Sequence, residues 1–128
     1  MPLVRISFLN GQPVGFGKQV GGVVYRTMVD TINVPPKDNF QLITRHDADS
    51  LVYDPDYLGI PRTDGVVFIQ ITLNEGRSVE LKQAFYRTLA QRLNQELGVR
   101  REDVFVSLVE VKKENWSFGN GVAQYAEP

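Results

Sequence analysis

The chain has 128 residues, 42% of them hydrophobic, with one histidine and no cysteine, which leaves a single domain without disulfides, thiolate catalysis or clustered metal ligands. Its 14 basic and 15 acidic side chains nearly cancel and form no basic block, which argues against a nucleic-acid partner. No apolar run approaches the roughly 20 residues of a spanning helix and no signal-peptide profile is present, so we expect a cytoplasmic protein without a membrane, metal or cofactor.

A strand–helix–strand unit begins at residue 2 and ends near residue 46. Across residues 3–9, apolar side chains at positions 4, 6 and 8 alternate with polar ones at 5 and 7, the period of a half-buried strand. Asn-Gly-Gln-Pro at 10–13 breaks the pattern. A helix is predicted from there to about residue 32, and a second strand over 40–45.

The second unit covers about residues 65–111 and repeats the first. Tyr-Arg-Thr-Met at 25–28 returns as Tyr-Arg-Thr-Leu at 86–89. Residues 66–73 are an apolar run typical of a central strand, and 104–111 form a fourth strand. Ser78 and Gly98 can cap the helix between them, in which apolar residues at 81, 85, 89, 93 and 97 recur every four positions and predict one apolar stripe. Asn120-Gly121 is a hairpin turn signal, so a C-terminal hairpin is predicted over 115–126.

Two right-handed β-α-β units joined by pseudo-twofold symmetry predict an α/β (α+β) fold. The sheet would be mixed and four-stranded, with both helices on one face and the first and third strands antiparallel. The other face has no cover. Because a strand as apolar as 66–73 should not face water on either side, we expect a homo-oligomer.

This topology would bring Pro2 close to residues 74–78. Removal of the initiator methionine would leave Pro2 with a free secondary amine. Arg77 stands at the start of a helix, where the helix dipole disfavours a cation unless an anion is bound. These groups predict a pocket for a small carboxylate substrate. The alternatives are that Pro2 only leads into the strand and that Arg77 is a solvated side chain or pairs with Glu75 or Glu80.

With these residues the chain resembles the tautomerase superfamily, whose members use an amino-terminal proline on a duplicated β-α-β scaffold. The similarity is greatest to the branch that contains malonate semialdehyde decarboxylase, and it covers nearly all of residues 1–128. It implies one tautomerase-like domain and a homotrimer. The matching stretches are Pro2-Leu3, residues 34–38, Arg77-Ser78, Phe85-Tyr86 and Asn-Trp-Ser-Phe-Gly-Asn-Gly at 115–121.

The resemblance also implies roles for individual residues. Pro2 corresponds to the catalytic amine, Arg77 to an arginine that holds a substrate carboxylate, and Asp38 to the acidic partner of the amine. Three aromatic residues, Trp116, Phe118 and Tyr125, correspond to the residues that form an apolar pocket wall in this branch of the family. The decarboxylases carry a second arginine two positions before the first, where this chain has Glu75, and a carboxylate there opposes a second anionic substrate group.

Three functions stay open at this level. An apolar wall favours a neutral Pro2 amine, a general base for keto–enol tautomerisation of a 2-oxo or enol acid. Asp38 favours the ammonium form, which would polarise a carbonyl or assist hydration and decarboxylation of a 3-oxo acid; a Schiff base to Pro2 is a further route. The third function is a non-catalytic ligand-binding or assembly module.

The remaining candidates have plainer explanations. Asp38 matches Asp103 in the second unit, so both could simply cap the turn into a strand. Arg62, in the loop 57–63 that could be a lid or a linker, is a second candidate anion contact. His46 is predicted to be an exposed polar residue and not a catalyst.

Overall fold

The structure, a computed structural model, describes residues 2–126 and contains both predicted β-α-β units. In chain order the elements are β1 (Leu3–Leu9), α1 (Phe16–Thr31), β2 (Phe40–His46), β3 (Val67–Asn74), α2 (Val79–Leu97) and β4 (Val104–Val111). The predicted strand boundaries agree with these to within one residue. Among the described residues no helix is both long and apolar enough to cross a membrane.

The four strands form one mixed sheet in the order β2-β1-β3-β4. The two pairs within the units are parallel, and β1 runs antiparallel to β3, as the pseudo-symmetry predicts. Leu3 is opposite both Phe40 and Thr72. Pro2 therefore lies where β2 begins and where β3 and β4 end, and we call this end of the sheet the Pro2 end.

Both helices pack on one face of the sheet and enclose the core. The three central residues of the predicted stripe on α2 are buried and its two end residues are partly buried, and α1 presents a matching row at the same four-residue spacing. On the sheet, every second residue of β1 and β3 faces the helices. The fully buried side chains include Val4, Ile6, Val20, Val24, Met28, Ile69, Ile71, Phe85, Leu89 and Leu93.

Glycines in α1 allow the helix to approach the sheet closely. A Cβ atom at Gly17 would lie 2.4 Å from Ile43 Cγ2, and one at Gly21 would lie 2.0 Å from Gln41 Oε1. The Gln41 amide also donates to the Gly21 carbonyl at 2.8 Å. Close packing therefore offsets the ~1 kcal/mol by which each interior glycine disfavours a helix.

The opposite face of the sheet is uncovered in the single chain. Its exposed apolar side chains include Phe40 (54% exposed), Leu42 (48%) and Phe105 (44%). The two helices leave this face open because both crossovers lie on the same side. We call it the open face.

The C-terminal segment differs from the prediction. The chain reverses at residues 119–122, where Asn120 and Gly121 both have positive φ as the turn signal predicts. However, the described residues after Val111 contain no strand, so the predicted hairpin of paired strands is wrong. The Gln124 side chain accepts from Phe118 N–H and donates to the Gly119 carbonyl, both at 2.9 Å. In a hairpin of paired strands these two backbone groups would bond the opposite strand, whereas here both bond the Gln124 side chain.

Candidate active site

Pro2 is buried at the Pro2 end of the sheet, beside a small cavity. The cavity has a volume of about 210 Å³ and is lined by Pro2, Leu3, Phe40, Trp116, Ser117 and Phe118. Strand pairing positions the first three residues, whereas the last three arrive from the segment after β4. The removal of Met1, on which a free Pro2 amine depends, concerns a residue outside those described.

Two of the three predicted aromatic residues, Trp116 and Phe118, form the aromatic wall of this cavity, and the third, Tyr125, packs behind them. The Trp116 and Phe118 rings stack with centroids 5.4 Å apart and an angle of 20° between their planes. Tyr125 packs edge-on against Phe118 at 5.0 Å and does not itself line the cavity. The wall is held from two sides, by the Gln124 amide within the loop and by Asn74 at the end of β3.

Asn74 connects the aromatic wall to Arg77. The indole N–H of Trp116 donates to Asn74 Oδ1 at 2.7 Å. The Asn74 backbone carbonyl accepts from Arg77 Nη1 at 3.1 Å. Arg77 does not line the cavity, but a single residue links its guanidinium to the ring that does.

Arg77 precedes α2 and is half-buried between that helix and the end of α1. Its Nε donates to the Ile32 carbonyl at 2.6 Å, and Ser78 caps the helix by accepting from Leu81 N–H at 3.2 Å. Among residues 2–126 no carboxylate forms an ion pair with Arg77, so the alternative of pairing with Glu75 or Glu80 does not occur there. Within the same residues its Nη2 makes no hydrogen bond, which leaves donors for an anion.

Contacts from β4 fix the loop that carries Arg77. Glu75 N–H donates to the Val111 carbonyl at 2.9 Å. Glu110 accepts from Lys82 Nζ at 2.5 Å, and this hydrogen bond holds the pKa of Glu110 below its ordinary value. The Lys82 charge, a hydrogen bond from the Gly76 backbone and the Arg77 charge lower this pKa further. Glu110 is therefore an anion close to Arg77 that helps to hold the loop in place.

Asp38 and its counterpart Asp103 have different surroundings. Asp38 is half-buried two residues before β2, at the Pro2 end of the sheet. Asp103 is 2% exposed and accepts from the Thr63 backbone N–H at 2.7 Å and from Thr63 Oγ1 at 2.6 Å. Asp103 thus holds Thr63, in the linker between the two units, by hydrogen bonds, whereas Asp38 lies at the same end of the sheet as Pro2.

Arg62 and His46 lie near the other end of the sheet. Arg62 Nη1 donates to three backbone carbonyls of its own loop, and the guanidinium lies 6.0 Å from the centre of the Phe105 ring. His46 is half-buried, not exposed as predicted, with Nδ1 3.0 Å from Ser50 Oγ. Within one chain, the structure brings together Pro2, Trp116 and Phe118 around one cavity. Arg77 is linked to Trp116 through Asn74, whereas Arg62 lies near the other end of the sheet.

Sequence reasoning missed Asn74 and Gln124. The Asn74 side chain bonds a residue 42 positions away, and the Gln124 side chain bonds backbone groups five and six positions away in its own loop, and neither contact belongs to a recognised sequence motif. A weak signal existed for Asn74, since it is a polar residue directly after the apolar run 66–73.

A duplicated β-α-β sheet with a buried proline at position 2, and an arginine linked through Asn74 to the aromatic wall, has the organisation expected of a tautomerase, and comparison with known proteins agrees. A family model described as tautomerase enzyme matches residues 38–119. Probable tautomerase YusQ of Bacillus subtilis (strain 168) is 42% identical over 127 residues, 99% of this chain and all of that protein. A malonate semialdehyde decarboxylase structure is 31% identical with a TM-score of 0.87, covering 96% of this chain and 95% of that one.

The chain therefore belongs to the tautomerase superfamily, in its malonate semialdehyde decarboxylase-like branch. The same fold occurs in a fused 4-OT symmetric trimer, with a TM-score of 0.77 and 22% identity over 98% of this chain and 99% of that one.

Proposed function

We propose that the protein catalyses keto–enol tautomerisation of a small 2-oxo or enol acid with the Pro2 amine as general base. The observation that carries this proposal is the burial of Pro2 beside the cavity walled by Trp116 and Phe118. An apolar cavity favours the uncharged amine, which is the form that accepts a proton. The nitrogen takes a proton from one position of the substrate and returns it to another, so no atom is gained or lost.

Arg77 would bind the substrate carboxylate. Two of its nitrogens already donate to backbone carbonyls, which fixes the guanidinium and leaves Nη2 to meet an anion. The exposed Glu75 stands where the decarboxylases have a second arginine, so the site has one strong anion contact. These charges favour a substrate with one carboxylate over a dicarboxylate.

Replacement of Pro2 tests this function. Pro2→Ala should lower turnover of the phenylpyruvate enol by roughly 10²-fold or more, the usual contribution of a general base. Intact mass spectrometry must first show that Met1 is absent from both proteins, because an amide nitrogen at Pro2 could not act as a base. Pro13→Ala, which changes an exposed loop proline, is the matched control and should keep full activity.

Unchanged turnover in Pro2→Ala would refute the proposal. If that variant also bound a carboxylate as well as the wild type, the protein would be a ligand-binding or assembly module. If wild type and variant both lacked turnover, the decarboxylase alternative would be the next to test.

Decarboxylation or hydration of a 3-oxo acid is the second candidate. Asp38 lies at the Pro2 end, and the 31% identical relative is a malonate semialdehyde decarboxylase, described with decarboxylase and hydratase activities. A charged Asp38 would favour the Pro2 ammonium, which polarises a carbonyl. Under this mechanism, Asp38→Asn should abolish carbon dioxide release from malonate semialdehyde, whereas Asp49→Asn, in an exposed turn, should not change it. Release by neither wild type nor variant would remove this candidate.

The functional unit we propose is a homotrimer. The open face carries exposed apolar side chains that a second copy would cover, and a protein of the same fold, the fused 4-OT, forms a symmetric trimer. In such an assembly Arg62 would contact a substrate only through a neighbouring subunit, because within one chain it lies far along the sheet from Pro2.

A further inference from the structure

Asn74 occupies an unusual position in the molecule. It is the last residue of β3 and pairs with Val111, the last residue of β4. The chain then continues past β4 and returns over this end of the sheet, so that Trp116 reaches Asn74 Oδ1. Through its backbone carbonyl the same residue holds Arg77.

We propose that Asn74 is a positioning residue that orients the Trp116 ring over Pro2. This inference rests on the proposed function of Pro2, since orientation matters for catalysis only if Pro2 is the reacting group. The Asn74 side chain acts on Trp116, while its backbone carbonyl acts on Arg77. Side-chain substitutions therefore separate the wall from the carboxylate contact.

The physical reason lies in the indole N–H. Trp116 is partly buried, and within residues 2–126 Asn74 is the acceptor of this donor. A donor that loses its acceptor in such a place must turn toward water, which moves the ring, or stay unsatisfied, which leaves the ring without the contact that fixes its orientation. Stacking on Phe118 sets the plane of the ring but does not prevent rotation within that plane.

A direct test uses the fact that Trp116 is the only tryptophan of the chain. A ¹H–¹⁵N NMR spectrum therefore shows one indole N–H signal, which reports on this hydrogen bond alone. In Asn74→Leu we expect the signal to move upfield and its hydrogen exchange to become roughly tenfold faster. Asn74→Asp keeps an acceptor oxygen and should restore slow exchange.

The matched control is Asn94→Leu. Asn94 is a second structural amide, whose Nδ2 donates to the Val99 carbonyl at 3.1 Å after the end of α2. Its loss should lower the melting temperature without moving the Trp116 signal. A change of that signal in Asn94→Leu equal to the change in Asn74→Leu would mean that general loosening, and not the Asn74 contact, is being measured.

The catalytic consequence is measured by a double-mutant cycle on phenylpyruvate enol turnover. Asn74→Leu should lower kcat about tenfold and change KM much less, because the Arg77 contact is retained. In a Trp116→Phe background, which has no indole N–H, Asn74→Leu should cause almost no further loss. Additive losses, or a change in KM alone, would overturn the positioning role.

The two proposals can fail separately. If Pro2→Ala keeps full activity, the proposed function fails, while the indole exchange data still show whether Asn74 holds Trp116. If Pro2→Ala is inactive but exchange in Asn74→Leu is unchanged, Pro2 remains the base and the role of Asn74 is refuted.

Discussion

In the proposed function Arg77 binds the substrate carboxylate, and hydrogen bonds within the protein already hold its side chain in place. A free arginine side chain has many rotamers, and ordering it on binding costs affinity. Here Ile32 and Asn74 fix the guanidinium through backbone carbonyls, which substitutions of their side chains cannot remove. The entropy cost of ordering the Arg77 side chain is therefore met during folding, and the fold also fixes the direction of the donors on Nη2.

The Glu110 carboxylate is expected to stabilise the folded protein in a pH-dependent way. Its pKa is lowered in the folded protein by Lys82, so the folded state favours the carboxylate. This stabilisation is present above the unfolded pKa, near 4.5, and is lost as the pH falls through the lower folded value. Glu110→Gln should therefore lower the free energy of unfolding at pH 7 by about 0.5 kcal/mol, and the difference should vanish at low pH.

Thermal unfolding of both proteins at pH 7 and at pH 3 measures this effect. Glu114→Gln is the control, because among residues 2–126 Glu114 has no ion pair and its side chain is exposed. A Glu110→Gln deficit that is equally large at both pH values would show that the carboxylate charge contributes nothing.

The sequence predicts those candidate site residues whose chemistry depends on their position in the chain. A proline at position 2 and an arginine before a helix can be recognised from the sequence, and the predicted antiparallel pairing of β1 with β3 places both at one end of the sheet. Asn74 and Gln124 were not predicted, because an amide has no required partner until tertiary structure supplies one. Arg62 was predicted as a candidate anion contact, and within one chain its Nη1 donates to the carbonyls of Asp54, Tyr57 and Ile60.

At the scale of elements, periodicity predicted the regular structure and failed at the C-terminus. The strands and α2 follow from alternation, an apolar run and a four-residue stripe, all of which survive into the fold. Propensity alone disfavours a helix at the glycines of α1, and the sequence does not show the close approach of Gly17 to Ile43 that requires a residue without a side chain. Asn120-Gly121 did predict the turn, but a turn signal does not decide whether its flanks pair as strands.

The linker between the units is an ordered element, not a loose connection. Asp103 fixes Thr63, Tyr53 donates to Asp64 at 2.6 Å, and Arg62 binds three carbonyls of the loop. Yet the loop carries Leu58 with 81% of its surface exposed and φ at 60°. An ordered loop that presents a large apolar side chain adds to the apolar surface left uncovered in one chain.

In the single chain, residues 2–126 leave the open face of the sheet without cover. The helices account for one side of the sheet only, and Leu42 remains 48% exposed near the middle of the edge strand β2 on the other side. Burial of such side chains between subunits stabilises an assembly by about 25 cal/mol per Å² of apolar surface. A charge placed there would be desolvated without a partner and would oppose association.

Leu42→Glu should therefore dissociate the oligomer while leaving the fold of each chain intact. Light scattering after size exclusion should give three times 14.5 kDa for the wild type and a smaller mass for Leu42→Glu, with unchanged far-UV circular dichroism. Val14→Glu, at a fully exposed position in the loop before α1, is the control and should keep the wild-type mass. A monomeric wild type, or a Leu42→Glu variant of unchanged mass, would show that this part of the open face contacts no second copy.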